Sequence, residues 1–61
     1  MNAYLVEIVA EIHAAQARVL GMQADNQQRE ACGESMAHTH EAFEAEAVHL
    51  EHLAQRARSL A

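Results

Sequence analysis

The chain has 61 residues, enough for one domain at most. A domain of this size buries only about 60% of the surface its unfolded chain exposes. Of its apolar residues 14 are alanines, with one Phe, one Tyr and no Trp beside them, so a lone monomer is short of core and is expected to need a second copy or a partner. A chain this small also leaves no room for an enzyme with its own deep pocket and a domain to close over it. Nine acidic residues against four arginines, with no lysine, give a net charge of −5. Nucleic-acid binding draws on Lys and Arg to neutralise phosphates, and anionic lipid surfaces attract basic segments, so neither class of partner is expected.

Cys32 is the single cysteine, which excludes an internal disulfide framework. With no second thiol and no histidine at a protease spacing, it reads as a small buried thiol near a helix junction. The opening run Met1-Asn2-Ala3-Tyr4-Leu5-Val6 has no basic lead, and Glu7 and Glu11 interrupt the apolar stretch far short of a bilayer span. A soluble, cytoplasmic protein is the expectation.

Pro is absent, Gly occurs only at 21 and 33, and Ala, Glu, Gln and Leu dominate. These are helix formers, so an all-α chain is predicted. The first helix is expected over about residues 3–22. Leu5, Ile8, Ile12, Ala15, Val19 and Met22 alternate at spacings of three and four, a heptad seam. Val9 sits beside the seam, with Val6 and Leu20 further round, so the apolar arc suits a helix with two or more neighbours.

Next comes Ala24-Asp25-Asn26-Gln27-Gln28-Arg29-Glu30; extending the heptad in phase would place Asn26, Arg29 and Gly33 in core slots, so the seam fails there. Asp25 with Gln28 three residues later reads as a capping box that opens a new helix, with Gly21 or Asn26 as the preceding left-handed residue. A turn at about 22–26 is therefore predicted, and a second, longer helix over about 27–60. A three-piece chain with a further break at Gly33-Glu34-Ser35, capped by Ser35, and one continuous coiled-coil helix compete with this hairpin. In the second helix Met36, Phe43, Leu50 and Ala57 recur every seven residues, with His40, Ala47 and Ala54 in the alternate slots and Leu53 and Leu60 flanking. The mismatch in arm length predicts that another chain covers the overhang of the longer helix.

Four of the five histidines, His38, His40, His49 and His52, lie within fifteen residues; the fifth is His13. Imidazole and carboxylate three or four residues apart share a helix face, so His38, Glu41, His49 and His52 could chelate a transition metal. Glu46-Ala47-Val48-His49 has the spacing of a di-iron Glu-x-x-His unit, but few further acids are available to complete such a site. His40, in a seam slot beside Phe43, is a candidate for fixing register or oligomer state. Tyr4, Glu11 and Arg18 form one column beside the first seam, and Glu41, Glu44 and Glu51 an acidic face on the second helix; both are candidate partner-binding surfaces.

The expectation is an antiparallel helical hairpin that self-associates into a four-helix-bundle-like homo-oligomer, most simply a dimer. Its predicted core is Leu5, Ile8, Ile12, Val19, Met22, Met36, His40, Phe43, Leu50 and Leu53. The expected function is non-catalytic and needs no cofactor: binding a protein partner as a regulator or inhibitor, a role filled by small acidic accessory proteins of phages and other mobile elements. A metal-binding bundle is the alternative.

Overall fold

A computed structural model describes residues 2–60. Two helices, α1 (Ala3–Ala31) and α2 (His40–Leu60), pack side by side as a hairpin. They run antiparallel: Arg18 meets Glu46 while Glu11 meets Arg56. The Cα trace measures 48 × 18 × 8 Å, a single helical layer.

α1 begins at an N-cap, where the Asn2 side-chain oxygen accepts from the backbone N–H of Tyr4 (2.8 Å) and Leu5 (3.4 Å). This satisfies two of the four N–H groups that a helix start leaves without partners. The seam on α1 has the phase its heptads predict. Ile8 and Ala15 are buried, and Leu5, Ile12, Val19 and Met22 are half-buried.

The turn expected at 22–26 does not form, because α1 runs unbroken through those residues to Ala31. Asp25 and Gln28 lie inside the helix and open nothing. The residues around them are Gln, Ala, Arg and Glu, whose helix propensity is strong enough to carry the backbone past one weak position at Asn26. The stop comes at Gly33, whose φ of +74° lies in the left-handed region that a side chain disfavours. Gly33 N–H donates to Glu30 O (3.1 Å) and Glu34 N–H to Arg29 O (2.8 Å). This is the paired bonding of a Schellman C-cap, which satisfies carbonyls the helix end would leave orphaned. Gly33, and not Gly21 or Asn26, is thus the left-handed residue.

The relative lengths are also the reverse of the expectation: α1 has 29 residues and α2 has 21. At about 1.5 Å per residue, α1 outruns α2 by roughly 12 Å. No second chain is needed at that overhang, because residues 32–39 fold back along it. The Asn26 side chain accepts from His38 N–H and donates to His38 O, both at 2.9 Å. The heptad does place Asn26 on the seam, but its neighbour there is the connection's backbone, where an amide is the matching group. α2 then starts with Thr39 O accepting from Ala42 N–H (3.1 Å) and Phe43 N–H (3.3 Å), with no part played by Ser35.

On α2 the observed seam is turned from the predicted one. Leu53 is buried, and Ala42, Phe43, Glu46, Leu50 and Ala57 are half-buried. Ala47 and Ala54 are exposed. Leu53, expected to flank the seam, is its most buried member, because a large side chain removes more apolar area from water than an alanine. Met36 lies in the connection at 65% exposure, and the His40 side chain is 88% exposed, so neither joins the seam and His40 sets no register within the hairpin.

Candidate interaction surfaces

A two-helix layer has two broad faces. At about 3.6 residues per turn, side chains on either flank of each seam fall on one face or the other. On the first face lie Glu7, Glu11, Arg18 and Asp25 of α1, with Glu46 and Arg56 of α2 opposite. The Arg18 guanidinium reaches both Glu46 carboxylate oxygens, through Nε at 3.2 Å and Nη2 at 3.4 Å. Arg56 lies 3.6 Å from the Glu11 carboxylate. An acid and a base on each helix thus cross over to the other, which matches the antiparallel register. Arg18, Arg56 and Glu11 are well exposed and only Glu46 is half-buried, so each pair contributes modestly to stability.

This engagement changes the reading of the Tyr4–Glu11–Arg18 column. Glu11 and Arg18 are paired within the chain, and Tyr4 stands 69% exposed at the open end, beside Arg56, Ser59 and Leu60. Of the groups that occupy them, Arg56 carries no signal of its own in the sequence, and Glu46 stands out there only in a Glu-x-x-His unit, not as a partner for Arg18. The available signal was charge complementarity between two antiparallel strings, and it needed the correct turn position to be legible.

The second face is uncharged along its middle. It presents Leu5, Val9, Ile12, Gln16, Leu20 and Gln23 from α1, and Phe43, Ala47, Leu50 and Ala54 from α2. Gln16, Val19, Leu20, Gln23 and Leu50 line one shallow concavity across both helices, which places them on this common side. Leu20 is 65% exposed and Val9 45%. Val6 and Val48, also exposed, point to the outer backs of α1 and α2.

The predicted metal set does not assemble. Among the described residues, no three His, Cys, Asp or Glu side chains come together as ligands. His38 precedes α2 instead of lying on it, so it is not a helical turn from Glu41. Its ring nitrogen Nε2 lies 3.0 Å from an Asp25 carboxylate oxygen, an ionic contact only when the imidazole is protonated. His49 and His52 face solvent, and His40 lies 3.7 Å from Glu44. On the acidic face, Glu41, Glu44 and Glu51 are all exposed.

At the tip, Asp25, Gln28, Arg29, Cys32, Glu34 and Ala37 border an open polar concavity, with Arg29 lying 3.6 Å from Glu34. Cys32 is exposed there, not buried as the sequence suggests. It caps the end of α1 at the tip of the hairpin, beyond the stretch that α2 packs against. No described helix is long and apolar enough to cross a membrane. In comparisons with known proteins, no family model, curated protein or solved structure matches the chain.

Proposed function

We propose that this chain acts by binding and not by catalysis, as a homo-oligomeric helical bundle that regulates or inhibits a protein partner. One observation carries the reading: only Ile8, Ala15 and Leu53 are buried among the described residues, while Tyr4, Val6, Val9, Leu20, Met36 and Val48 stay exposed. Burying a single large aliphatic side chain is worth about 1.5–3 kcal/mol, so so small a core does little to offset the entropy of ordering the chain. Association supplies the missing burial, and the assembled bundle then offers its charged surface, including Glu41, Glu44 and Glu51, to a partner with basic groups. A place among the accessory proteins of mobile elements fits this size and chemistry.

Light scattering on the full chain tests the first half of this reading. A mass of at least twice the 6.7 kDa of one chain is expected. A dilute sample that stays compact, helical and monomeric and melts sharply would remove it. Charge reversal at Glu44 and Glu51 tests the second half: co-purification of a partner from the native cell should be lost, and unchanged capture takes the acidic face out of the account.

A further inference from the structure

The seam of α2 uses only half of its apolar residues. Glu46 and Leu53 turn towards α1, whereas Ala47 and Ala54, one position further on, turn to the uncharged face and stay exposed. Phe43 and Leu50 sit between the two stripes and are half-buried. α1 has the same double character: Ile8 and Ala15 are buried, while Val9 and Leu20 remain exposed on the same uncharged side as Ala47 and Ala54. Two adjoining stripes on each helix are what a helix needs when it touches a second neighbour as well as its hairpin partner.

The flat layer exposes more surface than a compact monomer of its mass would. The chain exposes 4693 Å². A folded monomer of its mass is expected to expose roughly 3,900 Å². The excess, roughly 800 Å², is surface left without cover, on the order of what each partner contributes to an interface of standard size.

We propose that a second copy of this chain docks on the uncharged face, across Val9, Ile12, Gln16 and Leu20 of α1 and Ala47 and Ala54 of α2. The proposal rests on the self-association reading above and adds which face makes the contact. Three features point to a copy of the same chain. The face is uncharged through its middle, so two copies that each carry a net charge of −5 can meet there without opposing like charges. Two-fold symmetry sets the same patch against itself, and a face of apolar side chains with a Gln is self-complementary in chemistry. Ala47 and Ala54 carry only methyl groups, so α2 can approach the second layer closely while Leu20 and Val9 supply the bulk. The ion-paired face, with Arg18–Glu46 and Glu11–Arg56, then lies outward in solvent, where such pairs are well hydrated.

Sedimentation of the full chain and of four variants tests this. Leu20→Glu and Val9→Glu place a charge on the proposed contact. Val6→Glu and Val48→Glu place the same charge at comparably exposed sites on the outer backs of the helices. The wild type and the two back variants should sediment as dimers, at twice the 6.7 kDa of one chain. The two face variants should weaken dimerisation by at least about 100-fold, as expected for a charge forced into an apolar contact. If the face variants stay dimeric, or the back variants dissociate equally, the docking face is wrong while self-association stands. If the wild type is monomeric at every concentration, both readings fall.

A second measurement holds even where a glutamate variant unfolds. In a Cys32→Ser background, thiol labelling at Ala47→Cys should slow at least ten-fold as the chain is concentrated. Labelling at Val48→Cys, one residue away, should not change. Equal rates at the two positions overturn the assignment.

Discussion

The open body of the hairpin and its tip are held by different forces. In the body, Ile8, Ala15 and Leu53 are buried between the helices, and the Arg18–Glu46 and Glu11–Arg56 pairs border them. At the tip, no apolar side chain is buried. The chain is positioned there by the Asn26 amide on the His38 backbone, the Asp25–His38 contact and the Schellman cap at Gly33. Apolar burial is non-directional and supplies the free energy of association between the helices. Hydrogen bonds are directional and decide where the chain turns. A small hairpin therefore takes its stability mainly from one region and its geometry mainly from the other.

The largest expected effect lies in the body. Leu53→Ala should destabilise the protein by about 2–5 kcal/mol, read from the urea midpoint, because it removes a fully buried side chain and leaves a void. A loss below about 1 kcal/mol would mean that the body is not the main source of stability. At the tip, Asn26→Leu should cost about 1–3 kcal/mol, since it leaves the part-buried His38 N–H and C=O without their partner. Its signature is local: amide exchange of His38 should speed up far more than that of Ile8. Asn26→Asp keeps the acceptor for His38 N–H and should cost less. If Asn26→Leu leaves His38 protected, the clamp is dispensable and the contrast between the regions fails.

The two glycines sharpen the comparison, because one substitution should act with opposite signs. Gly33→Ala is expected to cost about 1–2 kcal/mol, since its backbone lies at φ +74° where a Cβ is disfavoured, even though no neighbour crowds the site. Gly21→Ala should stabilise by roughly 0.5–1 kcal/mol, as it lies within α1 with open space around its missing Cβ. Thermal melts of the two variants should shift in opposite directions; shifts in the same direction would overturn the assignment of the helix end to Gly33. The smallest effect is expected for Arg18→Ala. The pair with Glu46 is half exposed, so the loss should stay within about 1 kcal/mol and fade as salt is raised.

Much of this fold is legible in the residues. The absence of proline and the weight of Ala, Glu, Gln and Leu predict a helical chain with no strand, and strands are absent from the described residues. The heptad from Leu5 to Met22 predicts the inward face of α1. The turn is misread because polar residues in a seam are taken as the end of packing. Asn26 and Asp25 are polar because they hold a returning backbone, a partner that no periodicity reveals. The phase of α2 is misread for a related reason: Met36 lies in the connection, and Phe43, Leu50 and Ala57 mark a stripe shared by two apolar bands, so a heptad count cannot say which band the first helix covers.

Composition and period thus determine that this chain is helical, amphipathic and short of core, because helix propensity and the spacing of apolar side chains are properties of neighbouring residues. Only the tertiary structure decides that Gly33 ends α1, that residues 32–39 cover its overhang and that Leu53 is buried in preference to Ala54. The last two outcomes depend on what lies across a gap of many residues, and the first on which of several local stop signals the returning chain leaves in use. A hydrogen-bonding group or an apolar side chain gains its free energy from the neighbour it meets, and that neighbour is assigned only when the chain has folded back.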